Sequence, residues 1–208
     1  MILRSRDEEL LEALTHHVRV LTLPQIARTW WANFPNPIRT ARARLRALES
    51  EDLVILQQAL AHPELDFDAP VFSWEPPFPS PDAGAISYRL QSRWSAHPIT
   101  TCCIAASRAA ANRFHGHGGR FPRAVERSHD INLSRVYLIY RERGALPGWT
   151  FEEELRGNRR HRTEPLPDVV IDIGESRRIV EFGGAYPKAK LDRFHAYCKE
   201  HSFPYEIW

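Results

Sequence analysis

The stretch NPIRTARARLRALES, residues 36–50, decides the fold of the first half of the chain. Asn36 is a typical helix N-cap and Pro37 is favoured at the first helical position, so we predict a helix over residues 38–50. Its apolar residues recur at the three- and four-residue spacing of a buried helix face. These residues are Ile38, Ala41, Leu45 and Leu48. The stretch therefore predicts an amphipathic helix whose other face is rich in arginine.

The segments on both sides of this helix complete a recognisable domain. The patterns predict helices over residues 7–18 and 23–31, the second capped by Thr22, and a strand over residues 52–57. We expect residues 71–74 to return beside that strand as its hairpin partner. Three helices followed by a hairpin are typical of winged helix-turn-helix domains, which place a recognition helix in the major groove of DNA.

The arginine-rich face of the third helix is the first candidate site. No acidic residue occurs between residues 36 and 46, and arginine presents a planar fork that fits phosphates and guanine edges. The predicted DNA-binding residues here are Asn36, Arg39, Thr40, Arg42, Arg44 and Arg46. An alternative interpretation is a small helical bundle whose basic face is merely solvated. Only three of the 28 basic residues are lysine, which the codon usage of a GC-rich genome also explains.

Four short segments of this half resemble the replication-relaxation family. They are RDEELLEAL (residues 6–14), LTLPQIA (21–27), ARARLRAL (41–48) and DLV (52–54). Proteins of this family come from bacterial plasmids and mobile elements. They combine a winged helix with a nuclease-like domain that is often degenerate. The resemblance implies a double-stranded DNA-binding protein that controls transcription or the replication of a plasmid or mobile element.

The middle of the chain is rich in proline, with six prolines between residues 63 and 81. We place a domain boundary there and predict two domains, residues 1–78 and 79–208. Beyond the boundary, the patterns predict a strand over residues 86–93 and an alanine-rich helix over residues 100–114. We interpret the following HGHGG, residues 115–119, as a glycine-rich surface turn. A metal site at its two histidines is the alternative.

The last 80 residues predict an α-β-β-β-α-β order. The two helices are predicted over residues 128–143 and 188–201, and the strands over residues 149–155, 167–173, 177–182 and 204–208. The fold class is therefore α+β or α/β in two domains.

This order, with PD at residues 167–168 and Glu181 near the end of the third strand, resembles the restriction-endonuclease-like superfamily, whose signature is PD, a spacer and (D/E)xK. The resemblance implies that Asp168 and Glu181 hold Mg²⁺, a cation that prefers oxygen ligands. An acidic residue of the first helix is an additional ligand in some members. Asp130 and Glu142 are the candidates here.

One position departs from that signature. Gly183 stands where the lysine belongs, so Lys188 or Lys190 from the following helix would have to replace it. We therefore expect a nuclease-like domain that is retained for binding, in which Arg159 and Arg160 hold DNA phosphates. The alternative is an active Mg²⁺-dependent DNA endonuclease that uses Asp168 and Glu181. DNA binding alone requires no cofactor.

The composition excludes several classes of protein. The chain is 43% hydrophobic and 26% charged, which is typical of globular proteins, and no apolar run approaches the length of a membrane span. The start has no signal-peptide core, so we expect a cytoplasmic protein without a membrane partner. Three cysteines without a C-x-x-C pair argue against a disulfide framework. Double-stranded DNA is the expected partner, together with a possible homodimer. A module for acidic protein partners is a further alternative.

Overall fold

The computed structural model describes residues 2–144, 148–157, 166–173 and 176–208. Over these residues the protein is a mixed α/β structure with eight helices and two β-sheets. The chain divides into two compact units. The first comprises Met1–Glu64 and His97–Leu138, and the second comprises Leu65–Ala96 and Ile139–Trp208. In the described ranges, no helix is both long enough and apolar enough to cross a membrane.

The elements are numbered along the chain. The helices are α1 (Ser5–His16), α2 (Leu23–Trp30), α3 (Pro37–Ser50), α4 (Ala83–Ser92), α5 (Arg108–Phe114), α6 (Ala124–Glu142), α7 (Glu152–Gly157) and α8 (Lys188–Glu200). The strands are β1 (Leu21–Thr22), β2 (Val54–Ala61), β3 (Phe72–Trp74), β4 (Ile99–Ala106), β5 (Trp149–Phe151), β6 (Val169–Ile173), β7 (Ser176–Glu181) and β8 (Tyr205–Ile207).

The first three helices are confirmed, and their caps explain where two of them begin. The Thr22 side chain accepts a hydrogen bond from the Gln25 backbone N–H, and the Gln25 side chain accepts one from the Thr22 N–H at 2.8 Å. The Asn36 side chain accepts from the Arg39 N–H at the start of α3. The buried residues of α3 are Ala41, Leu45 and Leu48, whereas Ile38, which was predicted to be in the core, is 39% exposed.

The predicted hairpin partner of β2 is wrong. Strand β2 pairs with β4, antiparallel from Val54 opposite Ala106 to Ala61 opposite Ile99, and the sheet order is β1-β4-β2. Strand β3, which was expected at that place, pairs instead with β8 in the second unit. The alanine-rich segment predicted as a single helix is a strand followed by the short helix α5. The strand ends in four buried residues, so it lacks the in–out alternation of a half-buried strand.

The predicted strand over residues 86–93 is also wrong, because this segment belongs to helix α4. The Asp82 side chain caps the helix by accepting hydrogen bonds from the N–H groups of Gly84 and Ala85. The helix buries Ala83, Ile86, Ser87 and Leu90, which follow a helical spacing. Residues 65–96 lie between the paired strands β2 and β4 in sequence and belong to the second unit. A single boundary between residues 78 and 79 therefore does not match the division of the chain.

The second unit contains a five-stranded sheet in the order β3-β8-β7-β6-β5. Strands β5, β6 and β7 form an antiparallel series, while β8 runs parallel to β7 with Ile179 opposite Tyr205. The predicted α-β-β-β-α-β order of elements is present as α6, β5, β6, β7, α8 and β8, although residues 152–157 form α7 instead of extending β5. Helices α4 and α8 pack with the sheet in a core that includes Leu90, Leu191 and Ile207.

Candidate functional site

The exposed face of α3 carries three of the predicted DNA-binding arginines. Arg39, Arg42 and Arg46 are all exposed and follow each other at spacings of three and four residues, so they lie on one side of the helix. Among the described residues, none of their side chains has a hydrogen-bond or ion-pair partner. Asn36 and Thr40 lie at the start of α3, where the Thr40 hydroxyl donates to the Asn36 carbonyl at 2.9 Å.

Arg44, which was also predicted to bind DNA, is not on this exposed face but is held in an ion pair with Asp7. Its Nε donates to Asp7 Oδ1 at 2.9 Å and its Nη2 to Asp7 Oδ2 at 2.5 Å. The Asp7 carboxylate is buried and also accepts from the backbone N–H of Arg4. Burial is the largest single influence and opposes ionisation of Asp7, but the hydrogen bonds and charges of Arg44 and Arg4 together outweigh it and lower the pKa of Asp7. Arg44 therefore ties α3 to α1.

A cleft of about 290 Å³ lies beside this ion pair and adds two basic residues that the sequence patterns did not indicate. Its lining includes Arg4, Arg6, Trp31 and Phe34. The Arg6 guanidinium lies 5.4 Å from the ring centroid of Trp31 and 4.9 Å from that of Phe34, so cation–π contacts hold it at the cleft. Arg6 is 25 residues from Trp31 and 28 residues from Phe34 in sequence, so no local pattern indicated this cleft.

The two carboxylates of the second unit lie at one edge of its sheet. Asp168 precedes β6, and Glu181 is the last residue of β7. The Asp168 backbone N–H donates to Glu181 Oε2 at 3.3 Å, while the Phe182 backbone N–H donates to Asp168 Oδ2 at 2.8 Å. Each carboxylate thus accepts a hydrogen bond from the backbone at or next to the other residue. This reciprocal arrangement brings together the pair implied by the nuclease resemblance.

A lysine and a tyrosine lie near the other carboxylate oxygen of Glu181, Oε1. Lys190 Nζ lies 3.7 Å from Glu181 Oε1 and 3.2 Å from the ring centroid of Tyr186. The Tyr186 hydroxyl donates to Glu181 Oε1 at 2.8 Å. Burial and the neighbouring carboxylates raise the pKa of Tyr186 far above its ordinary value, so the phenol stays protonated as a donor. Lys188 instead pairs with Asp192 at 2.7 Å on the exposed surface of α8, and of the two candidate lysines only Lys190 reaches Glu181.

Gly183 is packed too closely for a side chain. A Cβ atom at this position would lie 2.7 and 2.8 Å from the two methyl carbons of Leu90 and 3.0 Å from Ile207 Cγ2. Helix α4 therefore occupies the space that a lysine at position 183 would need. The side chain of Arg93 donates to the Gly183 and Trp208 carbonyls beside it, and burial lowers the pKa of Arg93 to about 10.

The remaining predicted site residues are Asp130, Glu142, Arg159 and Arg160. Asp130 is in the first unit, where it is buried and lies 3.5 Å from Arg19 and 3.1 Å from His129. Glu142 is exposed at the end of α6. Arg159 and Arg160 fall outside the described residues.

The HGHGG segment is a turn after α5, in which the His117 N–H donates to the Thr15 carbonyl. This agrees with the interpretation as a surface turn.

Asp168 and Glu181 offer the oxygen ligands that Mg²⁺ prefers. Within the described ranges, no group of three or more histidine, cysteine or acidic side chains is placed to hold a metal ion. Mg²⁺ is commonly held by one or two carboxylates, with waters and substrate phosphates completing its coordination. The pair therefore fits Mg²⁺ in ligand type, while both carboxylates also have backbone partners.

Comparisons of this chain with protein-family models, with curated proteins and with solved structures gave no match.

Proposed function

We propose that this chain binds duplex DNA through the exposed face of α3. The observation that carries the proposal is the row of Arg39, Arg42 and Arg46, which are exposed on one helix face and lack internal partners among the described residues. An arginine in the major groove can donate two hydrogen bonds to guanine, and one at the groove edge neutralises a phosphate.

The order of elements around α3 supports this proposal. Three helices, α1 to α3, precede the antiparallel pair β2 and β4, as helices precede the wing strands in winged helix-turn-helix domains, although residues 65–96 are inserted between these two strands. Arg4 and Arg6 place further positive charge at the cleft beside α3, and Thr40 and Ala43 line the same cleft with small side chains. Small residues next to bases or phosphates allow a close approach of the helix. The resemblance to the replication-relaxation family supports a role in transcription or in replication control of a plasmid or mobile element.

Binding of the purified chain to duplex DNA by fluorescence anisotropy over a salt series tests the proposal. We expect the triple variant R39Q/R42Q/R46Q to bind weakly and to show a flatter salt dependence, because each lost phosphate contact reduces the slope by about 0.9. Arg113→Gln is the matched control, since it removes an exposed cation from α5 in the same unit. If the triple variant and R113Q bind with the affinity and slope of the unaltered chain, α3 is not the DNA-binding element.

A second candidate function is Mg²⁺-dependent hydrolysis of DNA. The approach of Lys190 to Glu181, next to Asp168, favours it, because these are the charges that a (D/E)xK site requires. A bound Mg²⁺ would supply an activated water and offset charge on the scissile phosphate. In the protein, Tyr186 and the Asp168 N–H orient Glu181, and Lys190 adds a positive charge beside it.

Incubation of supercoiled plasmid with Mg²⁺ or Mn²⁺ tests this second candidate. An active enzyme would nick the plasmid, and Asp168→Asn would abolish nicking while Asp172→Asn would not, because Asp172 pairs with Arg177 away from Glu181. Absence of nicking with both metals would rule out this second candidate.

A further inference from the structure

A cavity of about 360 Å³ in the second unit is not explained by DNA binding through α3. One wall is formed by Ile179 and Glu181, which alternate along β7 and therefore face the same side of the sheet. Helix α8 contributes a second part of the lining, and Leu166 and Pro167 complete it. The cavity is within the size range of small-molecule sites, which are mostly apolar with a few charged groups.

The wall contributed by α8 has a charged end and an aromatic end. Lys190, Arg193, Phe194 and Tyr197 line the cavity at spacings of three, one and three residues, which places them on one helix face. The two cations lie toward the start of the helix and the two rings toward its end. A ligand that fills this cavity would therefore meet cations on one side and aromatic surface on the other.

The charges in this wall are incompletely balanced. Glu181 is the one carboxylate of the lining, whereas Lys190 and Arg193 are both cationic. In the part of the chain that the structure describes, the exposed Arg193 side chain has neither a hydrogen bond nor an ion pair. Lys190 remains 3.7 Å from Glu181 Oε1, longer than a hydrogen bond. The cavity consequently favours an anionic group at this end.

We propose that this cavity binds a nucleotide, with its base against Phe194 and Tyr197 and its phosphate at Lys190 and Arg193. Bases stack on aromatic side chains with little dependence on their identity, and phosphate is a strong acceptor for arginine. The Glu181 carboxylate accepts a hydrogen bond from an amino or hydroxyl group of the ligand. A purely apolar ligand fits less well, because it would desolvate the Arg193 guanidinium and the Lys190 ammonium without adding a hydrogen-bond partner to either. The nucleotide is either free or the end of a DNA strand.

Isothermal titration of the full chain with each of the four deoxynucleoside 5′-monophosphates, with inorganic phosphate and with a 5′-phosphorylated single-stranded hexamer tests the proposal. We expect the monophosphates to bind at least tenfold more tightly than inorganic phosphate, because stacking adds to the phosphate contact. A hexamer that binds at least tenfold more tightly than any monophosphate would identify a strand end as the ligand. Equal affinities would identify the free nucleotide.

Three substitutions locate the site. Arg193→Gln should weaken monophosphate binding about tenfold, since a hydrogen bond to a charged group is lost. Tyr197→Leu should weaken monophosphate binding and leave the affinity for inorganic phosphate unchanged. Lys199→Gln, an exposed cation on α8 outside the cavity lining, is the control and should bind like the unaltered chain.

Two results would overturn the nucleotide site. One is a monophosphate affinity no higher than that of inorganic phosphate, and the other is unchanged monophosphate binding in both R193Q and Y197L. The proposal does not rest on DNA binding by α3. R39Q/R42Q/R46Q is expected to keep monophosphate binding and R193Q to keep duplex binding, so the two proposals fail separately.

Discussion

Two pairs of a carboxylate and a cation, one in each unit, look alike in composition but differ in geometry. Asp7 with Arg44 joins α1 to α3, and Glu181 with Lys190 joins β7 to α8. Both carboxylates are buried, with Asp7 1% and Glu181 7% exposed. The Arg44 fork contacts both oxygens of Asp7 at 2.9 and 2.5 Å, whereas Lys190 stays 3.7 Å from its partner.

This difference separates a structural contact from a surface that is open to a ligand. A bidentate arginine saturates a buried carboxylate and leaves neither group available. A lysine at a longer distance, with a cavity of about 360 Å³ beside it, keeps its charge available to an incoming anion. Partner geometry therefore assigns Arg44 to the fold and leaves Lys190 as a candidate for binding, although both were predicted as site residues.

The largest effect is expected when the Asp7–Arg44 pair, which we call the closed pair, is broken. Arg44→Leu leaves the buried Asp7 carboxylate with the Arg4 N–H as its remaining donor among the described residues, and we expect a loss of about 3 kcal/mol in the free energy of unfolding. Guanidinium unfolding followed by circular dichroism measures it. Arg46→Leu, on the same helix but exposed, should change stability by no more than about 0.5 kcal/mol.

A double substitution isolates the pair itself. D7L/R44L removes both charges, so it should be more stable than R44L alone. Equal stabilities of R44L and R46L would contradict the structural role of Arg44.

A smaller loss in the free energy of unfolding is expected at Gly183, two residues after Glu181. Glu181 and Lys190 form the second pair, which we call the open pair. In Gly183→Ala, the new methyl group would lie 2.7–2.8 Å from the buried Leu90 side chain, and repacking should cost about 1–3 kcal/mol. Gly184→Ala is the matched control, because the nearest atom to its Cβ, on Tyr186, is 3.6 Å away. If both variants unfold at the same denaturant concentration, the close packing of α4 does not explain why lysine is missing from position 183.

Local chemistry made part of this fold predictable. The caps Thr22 and Asn36 act within four residues of themselves, so α2 and α3 were predicted close to their true starts. Strand β4 and helix α4 were mispredicted, because one is defined by its pairing with β2 and the other lies in an insertion between paired strands. The remote pairing of β4 leaves no local signal, whereas the helical spacing of the buried residues in α4 was present in the sequence and was missed.

Partners that are remote in sequence also limited the prediction of the candidate sites. The α3 arginines are indistinguishable by spacing alone, and only the position of Asp7, 37 residues from Arg44, separates the structural arginine from the exposed ones. Asp168 and Glu181 came from a motif resemblance, and they lie together because β6 and β7 are antiparallel neighbours. Lys190 was one of two lysines predicted to replace the one missing at position 183. Its distance from Glu181 depends on how α8 packs beside that residue.

Lowering the pH should weaken the closed pair and so reduce the free energy of unfolding. The reduction should be smaller than that caused by Arg44→Leu. The pKa of Asp7 is lower in the folded protein than its unfolded value of about 3.9. The ionised Asp7 therefore contributes fully to the free energy of unfolding above pH ~3.9, and this contribution is lost as the pH falls through the lower pKa of the folded state. The protonated carboxyl keeps some of its hydrogen bonds, which limits the loss. Unfolding of the native chain and of Asp7→Asn should be compared from neutral to acidic pH. Their stabilities should converge at low pH, and a constant difference would contradict the ion pair as its cause.

The smallest effect is expected when the open pair is broken. Lys190 is 42% exposed in its side chain, and exposed ion pairs contribute about 0–1 kcal/mol. Its contact with the Tyr186 ring adds a similarly small amount. We therefore expect Lys190→Met, which keeps the apolar stem, to change the free energy of unfolding by less than about 1 kcal/mol. A loss as large as that of R44L would make Lys190 a structural residue and would remove a phosphate-binding cation from the proposed nucleotide site. A gain in stability would mean that the charge beside Tyr186 opposes folding, as is common for residues retained for binding.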